Sequence, residues 1–182
     1  MNARSADMTD EIVLRESVPG DIAALERIYR DAFPDEDLLP LLSQLLDDPS
    51  LGLSLVALSE GAVAGHAYFT NCTVAGGRGK LALLGPVAVV PALQGRGIGG
   101  ALVRKGLDRM KKAGIVRLCV LGDPAYYGRF GFAPETEIMP PYPLPDAWHD
   151  AWQSIGLRDG ETRCRGALSV PTPWRNPALW SD

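Results

Sequence analysis

The stretch Val89–Leu107, VVPALQGRGIGGALVRKGL, decides how this chain is read. Gly95, Gly97 and Gly100 fit G-x-G-x-x-G. In a Rossmann unit that pattern turns tightly off a strand and lays a dinucleotide pyrophosphate on a helix N-terminus. Three features oppose that reading here. Pro91-Ala92-Leu93-Gln94 separates the apolar strand from Gly95, so the tight turn is missing. The chain before the motif reads as helices and then a hairpin, not as a βαβ unit. Only one strand–helix–strand unit follows, too little for a doubly wound sheet. Asp123, 23 residues past Gly100, lies near the usual distance of a ribose-binding acid but does not outweigh them.

The physics of the loop holds without the Rossmann fold. Glycines let backbone approach a ligand closely. Successive N–H groups at a helix start form an anion site that the helix dipole strengthens. Arg96 adds positive charge. A phosphate-bearing ligand over Gly95–Gly100 is therefore expected, the alternative being a loop that only packs tightly.

Outward from the loop, the elements follow from periodicity. Residues 99–113 carry an apolar stripe of Leu102, Val103, Gly106, Leu107 and Met110, opposite Arg104, Lys105, Arg109, Lys111 and Lys112. That charged side reads as a solvated face, with an anionic-partner role as the alternative. Leu81–Val90 is almost wholly apolar, as a central strand would be. Gly85-Pro86 in its middle predicts a bulge or a local splay, because Pro donates no ladder hydrogen bond. Upstream, a strand over Glu11–Glu16, helices over 21–33 and Asp35–Asp47, and strands over Leu53–Ser59 and Val63–Thr73 are expected. Downstream, Val116–Leu121 is a strand, and Asp123-Pro124 caps a short helix that reaches about Phe130. The tail from Phe132 is Pro-rich and holds all four tryptophans. Strands around Ala151–Leu157 and Gly166–Val170 are expected in it.

Composition narrows the functional classes. A chain of 182 residues, 46% hydrophobic and 22% charged, is expected to form one globular domain. A net charge of −4 gives no case for a nucleic-acid partner. No apolar run suggests a membrane span. The polar start, MNARSADMTDE, is not a secretory signal, and residues 1–10 are read as a flexible end. Cys72, Cys119 and Cys164 are scattered and form no C-x-x-C pair, which supports neither a metal nor a disulfide framework. Cys119 reads as a buried small hydrophobe, and the expected compartment is the cytoplasm.

Gln94-Gly95-Arg96-Gly97-Ile98-Gly99 resembles the Q/R-x-x-G-x-G/A pyrophosphate loop of the GNAT N-acetyltransferase superfamily. Val87, Val89 and Pro91 match the V-x-V-x-P strand that precedes that loop. Val120–Phe132, VLGDPAYYGRFGF, resembles the Y-x-x-x-G-F end motif, in the form of a bacterial branch of predicted acyltransferases with GDPxYYxRFGF. The resemblance spans roughly residues 11–135, and it leaves the tail, 136–182, weakly covered.

That resemblance implies an α/β (α+β) GNAT fold. Its mixed, mostly antiparallel central sheet has six to seven strands, is flanked by about four helices, and is splayed between strands 4 and 5. It implies acetyl-CoA as cosubstrate, no metal, and a small-molecule or peptide amine as acceptor; a homodimer is left open. The pantetheine arm would bond to backbone of Val87, Ala88 and Val89. The pyrophosphate would lie on Gln94, Gly95, Arg96, Gly97, Ile98, Gly99 and Gly100. Val89 N–H is the expected oxyanion donor. Tyr127 is the expected acid for the leaving thiolate, with a high-pH limb in kcat from its ionisation. Tyr126 is expected in the core. The general base is left among His66, an acid of Asp35, Glu36 and Asp37, and water. Trp148 and Trp152 are expected to help wall the acceptor pocket, with core packing as the alternative. The rival to catalysis is an acyl-CoA-binding sensor on the same fold.

Overall fold

The structure, a computed structural model, describes residues 11–158 and 164–181. The flexible end expected at residues 1–10 lies outside the described residues. β1 (Val13–Glu16) pairs antiparallel with β2 (Gly52–Ser59). Between them run α1 (Ile22–Ala32) and α2 (Leu39–Asp47). Pro40 sits in the first turn of α2, where a missing N–H breaks no ladder bond. The helix starts later than the expected Asp35. Asp37 instead stands before it and accepts a hydrogen bond from the Leu39 N–H at 3.3 Å. Asp35–Asp37 therefore form a connection, not a first helical turn.

β2 turns back into β3 (Ala62–Val74), and β3 pairs antiparallel with β4 (Lys80–Val89). The register steps from Phe69↔Leu84 to Ala67↔Val87, so Gly85 and Pro86 together stand opposite Tyr68. This is the expected bulge. On its other edge β4 pairs in parallel with β5 (Ile115–Leu121), but only from Lys80 to Leu84. Beyond Gly85 the two strands part, and the splay lies between strands 4 and 5.

α3 (Ile98–Lys112) is the crossover that a parallel pair requires. α4 (Pro124–Tyr127) runs into a 3-10 turn, Gly128–Phe130, closed by Gly131 at φ 95°. Four more strands follow: β6 (Ala133–Pro134), β7 (Ile138–Met139), β8 (Trp152–Gly156) and β9 (Gly166–Ser169). The main path is β1-β2-β3-β4-β5-β8-β6, and β9 joins β3 to β7. The sheet exceeds the expected six to seven strands by the two-residue β6 and β7, which are too short to show a period.

α3 covers one face of the sheet, and α1, α2 and the tail cover the other. On one, Leu102, Val103 and Met110 of α3 pack on Leu55, Phe69, Ala82 and Leu118. Gly106 permits this closeness, since any Cβ there would collide with the Phe69 ring. On the other, α1 covers Val56 and Ala88, while α2 and the tail cover Leu81, Leu83 and Cys119. Trp152, Trp174 and Trp180 all belong to that second layer.

Candidate active site

The site begins with the hydrogen-bonding groups that β4 leaves unused. The Val90 N–H bonds to the Ala64 carbonyl at 2.9 Å. Antiparallel alternation then turns the backbone of Ala88 toward His66 on β3, and that of Val87 and Val89 toward the gap. The Val89 carbonyl accepts from Gln94 Nε2 at 3.2 Å, which confirms its outward direction. Ala88 differs in this from Val87 and Val89. Its backbone faces β3, and its side chain, 3% exposed, lies under α1.

The glycine loop follows directly. Gly95 and Gly97 have φ of 77° and 85°, a region that side chains with a Cβ rarely adopt. The first ladder bond of α3 runs from Ala101 N–H to the Gly97 carbonyl at 2.9 Å. The amides of Ile98, Gly99 and Gly100 therefore stand free at the helix start. The Ile98 side chain is buried, and it packs where Gly65 has no Cβ. A cavity of about 760 Å³ lies over this loop, lined also by Val87, Val89 and the 123–130 segment. Arg96 is exposed and outside that lining, whereas Arg104 and Arg129 are in it. Their guanidinium groups lie 5.1 Å from the Phe130 ring centre and 4.6 Å from that of Tyr126.

Tyr127 is placed by its neighbours. Asp123 Oδ1 accepts from the Ala125 N–H at 2.8 Å and starts α4. The Tyr127 ring then lies against Gly122, where a Cβ would collide with it. It meets Tyr126 edge-on at 4.9 Å and Phe132 at 5.7 Å. Burial pushes its pKa up from 10, so the phenol stays neutral well above physiological pH. The expected high-pH limb from this phenol is shifted upward by the same burial. Burial raises the Tyr126 phenol too, against the opposing charge of Arg129.

A second cavity, of about 330 Å³, opens on the other face of the gap. Its walls come from Phe33 and Leu38, from Leu83–Val87, from Leu121–Asp123, and from Trp174, Leu179 and Trp180. Val87, Asp123 and Tyr127 line both cavities. The tail lines this cavity through tryptophans other than Trp148 and Trp152. Trp152 is 3% exposed, with its indole N–H on the Ile138 carbonyl at 2.7 Å, and is a core residue. Trp148 lies in a 3-10 segment and lines neither cavity. No sequence signal singled out Trp174, Leu179 or Trp180.

Residues 22–132 match the acetyltransferase (GNAT) family. This chain belongs to the GNAT acetyltransferase family. A relative from Escherichia coli K12, the uncharacterized N-acetyltransferase YjhQ, is 32% identical over 87% of this chain and 92% of its own length. The fold matches the crystal structure of the E. coli GNAT N-acetyltransferase YhbS in complex with CoA, with a TM-score of 0.84 and 27% identity. That match covers 93% of this chain and 95% of YhbS. A GNAT acetyltransferase from Brucella melitensis in complex with acetyl-CoA gives 0.73 at 29% identity, over 91% and 99% of the two chains.

Within this GNAT chain the base candidates separate. His66 is fully buried under α1, with Nδ1 2.7 Å from the Tyr29 hydroxyl and Nε2 2.8 Å from the Ser54 hydroxyl. Burial holds its pKa down to about 3, against the pull of Asp21. It lines neither cavity and serves as a neutral structural link. Asp35, Glu36 and Asp37 line a shallow recess that shares Phe33 and Leu38 with the second cavity. Cys119 is buried and that burial pushes its thiol up; burial also pushes the Cys72 thiol up, to about 12. Among the described residues no group of three or more His, Cys, Asp or Glu could hold a metal ion.

Proposed function

We propose that this protein transfers an acetyl group from acetyl-CoA to an amine, which attacks the thioester directly. One observation carries the reading. The β4–β5 gap opens to the glycine loop on one face and to an aromatic cavity on the other, and Tyr127 lines both. Two substrates react where two cavities share a wall.

Acetyl-CoA supplies an acyl group on a thiolate leaving group; the rest falls to residues of this chain. The free amides of the 95–100 loop and the α3 dipole hold the pyrophosphate, and Arg104 and Arg129 add positive charge in the same cavity. Val87 and Val89 offer strand-like hydrogen bonds to the amide-bearing arm. The Val89 N–H donates to the carbonyl oxygen as negative charge develops there. Tyr127 gives its proton to the departing sulfur. The amine attacks in its neutral form, and once the C–N bond has formed its nitrogen gives up one proton that returns through water to Tyr127, so thioester and neutral amine yield amide and free thiol with no net proton. The chain is read as one acyltransferase unit because β8 pairs with β5 and β9 with β3. The cytoplasm suits its three free cysteines.

The test has two parts. Calorimetry should show acetyl-CoA binding and no NAD binding; the reverse would overturn the assignment. Single-turnover CoA release across a panel of amines should depend on the amine. Binding without release from any amine would instead support the sensor.

A further inference from the structure

The second cavity speaks to the kind of amine, on the acetyl-transfer reading above. Its volume of about 330 Å³ equals that of roughly ten waters in the liquid, so it suits a compact body. Its side-chain walls are apolar: Phe33, Leu38, Pro86, Leu179 and the Trp174–Trp180 pair. The two indoles offer carbon surface only. Trp174 Nε1–H is held by Thr70 Oγ1 at 2.9 Å, and Trp180 Nε1–H by the Trp174 carbonyl at 3.1 Å. A polar body lodged there would leave hydrogen-bonding groups unmatched, at about 1–3 kcal/mol each.

Charge is confined to one end. Asp123 is the only carboxylate among the described residues that line either cavity. Its Oδ1 is taken by the Ala125 amide, while Oδ2 has no partner among the described residues. Like Tyr127 it lines both cavities, which puts it where the acceptor nitrogen must arrive. Asp35, Glu36 and Asp37 flank the same cavity beyond Phe33 and Leu38, and they favour entry of a cation.

We propose that the acceptor is a primary amine on a compact apolar body, of the arylalkyl or branched-alkyl class. The body lies against Trp174, Leu179 and Trp180; the ammonium group is held at Asp123 on arrival and loses one proton to solvent before its nitrogen attacks.

The probe is 2-phenylethylamine, set against spermidine, L-lysine and glucosamine. With acetyl-CoA, its kcat/KM should exceed theirs about tenfold or more. Calorimetry on the CoA-saturated protein should show 2-phenylethylamine binding with no turnover involved. Leu179→Gln, at a half-exposed wall position, should weaken that binding about tenfold, with CoA affinity held within about twofold and melting temperature nearly unchanged. Asp123→Asn keeps the helix cap and should raise KM for the amine about tenfold. A preference for the polar amines would overturn the acceptor class and leave acetyl transfer standing. So would failure of 2-phenylethylamine to bind the CoA complex, or binding indifferent to both variants. If acetyl-CoA itself does not bind, the acetyl-transfer reading fails and takes this one with it.

Discussion

The two cavities that meet at Tyr127 are built by opposite means. The larger draws its lining from residues 87–130, a single run of chain, and its key groups are backbone amides at β4 and the start of α3. The smaller draws on residues 33–38, 83–87, 121–127 and 174–180, and its walls are side chains. A backbone site persists whatever side chains surround it, so one sequence pattern can mark it in many proteins. A side-chain site is rewritten by single substitutions. A common cosubstrate with a private acceptor is the division of labour that such a construction permits.

The comparison can be broken most sharply at Trp152. If the tail contributes core as well as wall, Trp152→Ala should cost about 3–5 kcal/mol of stability, read by denaturant unfolding. A stable variant with a raised acceptor KM would move this tryptophan back to the cavity. Next comes the shared wall. Tyr127→Phe should lower kcat about 100-fold with little change in stability or acetyl-CoA affinity, whereas Tyr126→Phe should be near neutral. Because burial raises the Tyr127 phenol, wild-type kcat should show no limb from it up to about pH 10. Wild-type turnover in Tyr127→Phe, with chemistry rate-limiting, would reduce this residue to packing.

Gly97→Val probes the backbone cavity alone. A β-branched residue at φ 85° is strained, and its side chain would stand in the open space over the loop where a ligand must approach, so acetyl-CoA should bind about ten- to a hundredfold more weakly in calorimetry. Amine binding should change less. The smallest effect at neutral pH concerns His66, which belongs to neither cavity. The unfolded chain protonates it below about pH 6.5, while the folded chain holds it neutral down to about 3. The unfolded state thus binds more protons in that window, and stability should fall as pH is lowered across it, by at most about 1.4 kcal/mol per unit. His66→Gln should flatten that slope; an unchanged slope would assign the acid sensitivity elsewhere.

The legibility of the molecule follows the same division. Gly85-Pro86 exposed the bulge because proline cannot serve a ladder, and the glycines at 95–100 exposed the loop because few other residues tolerate its φ angles. Asp123-Pro124 exposed α4 through the chemistry of its own cap. These are local rules, written in neighbouring letters. Trp174 obeys no local rule. It becomes a wall by bonding to Thr70, 104 residues away, and nothing near it in the chain distinguishes it from Trp152. The start of α2 shifted for a related reason, since the Asp37 carboxylate bonds to the Leu39 amide ahead of the helix, a local bond that competes with joining it. His66 has the chemistry of a base, and only its burial beneath Tyr29 shows that it is not placed to act as one.

The parting of β4 from β5 also divides one strand along its length into two populations of exchangeable protons. The Ala88 and Val90 amides face β3 and are sheltered by the ladder, while those of Val87 and Val89 face an opening. In deuterated buffer, adjacent residues of this strand should therefore label at very different rates, the odd ones early and the even ones late. A substrate arm that bonds to the odd amides would slow only those. Their labelling times then report occupancy residue by residue, even in a protein whose acceptor amine has not been supplied.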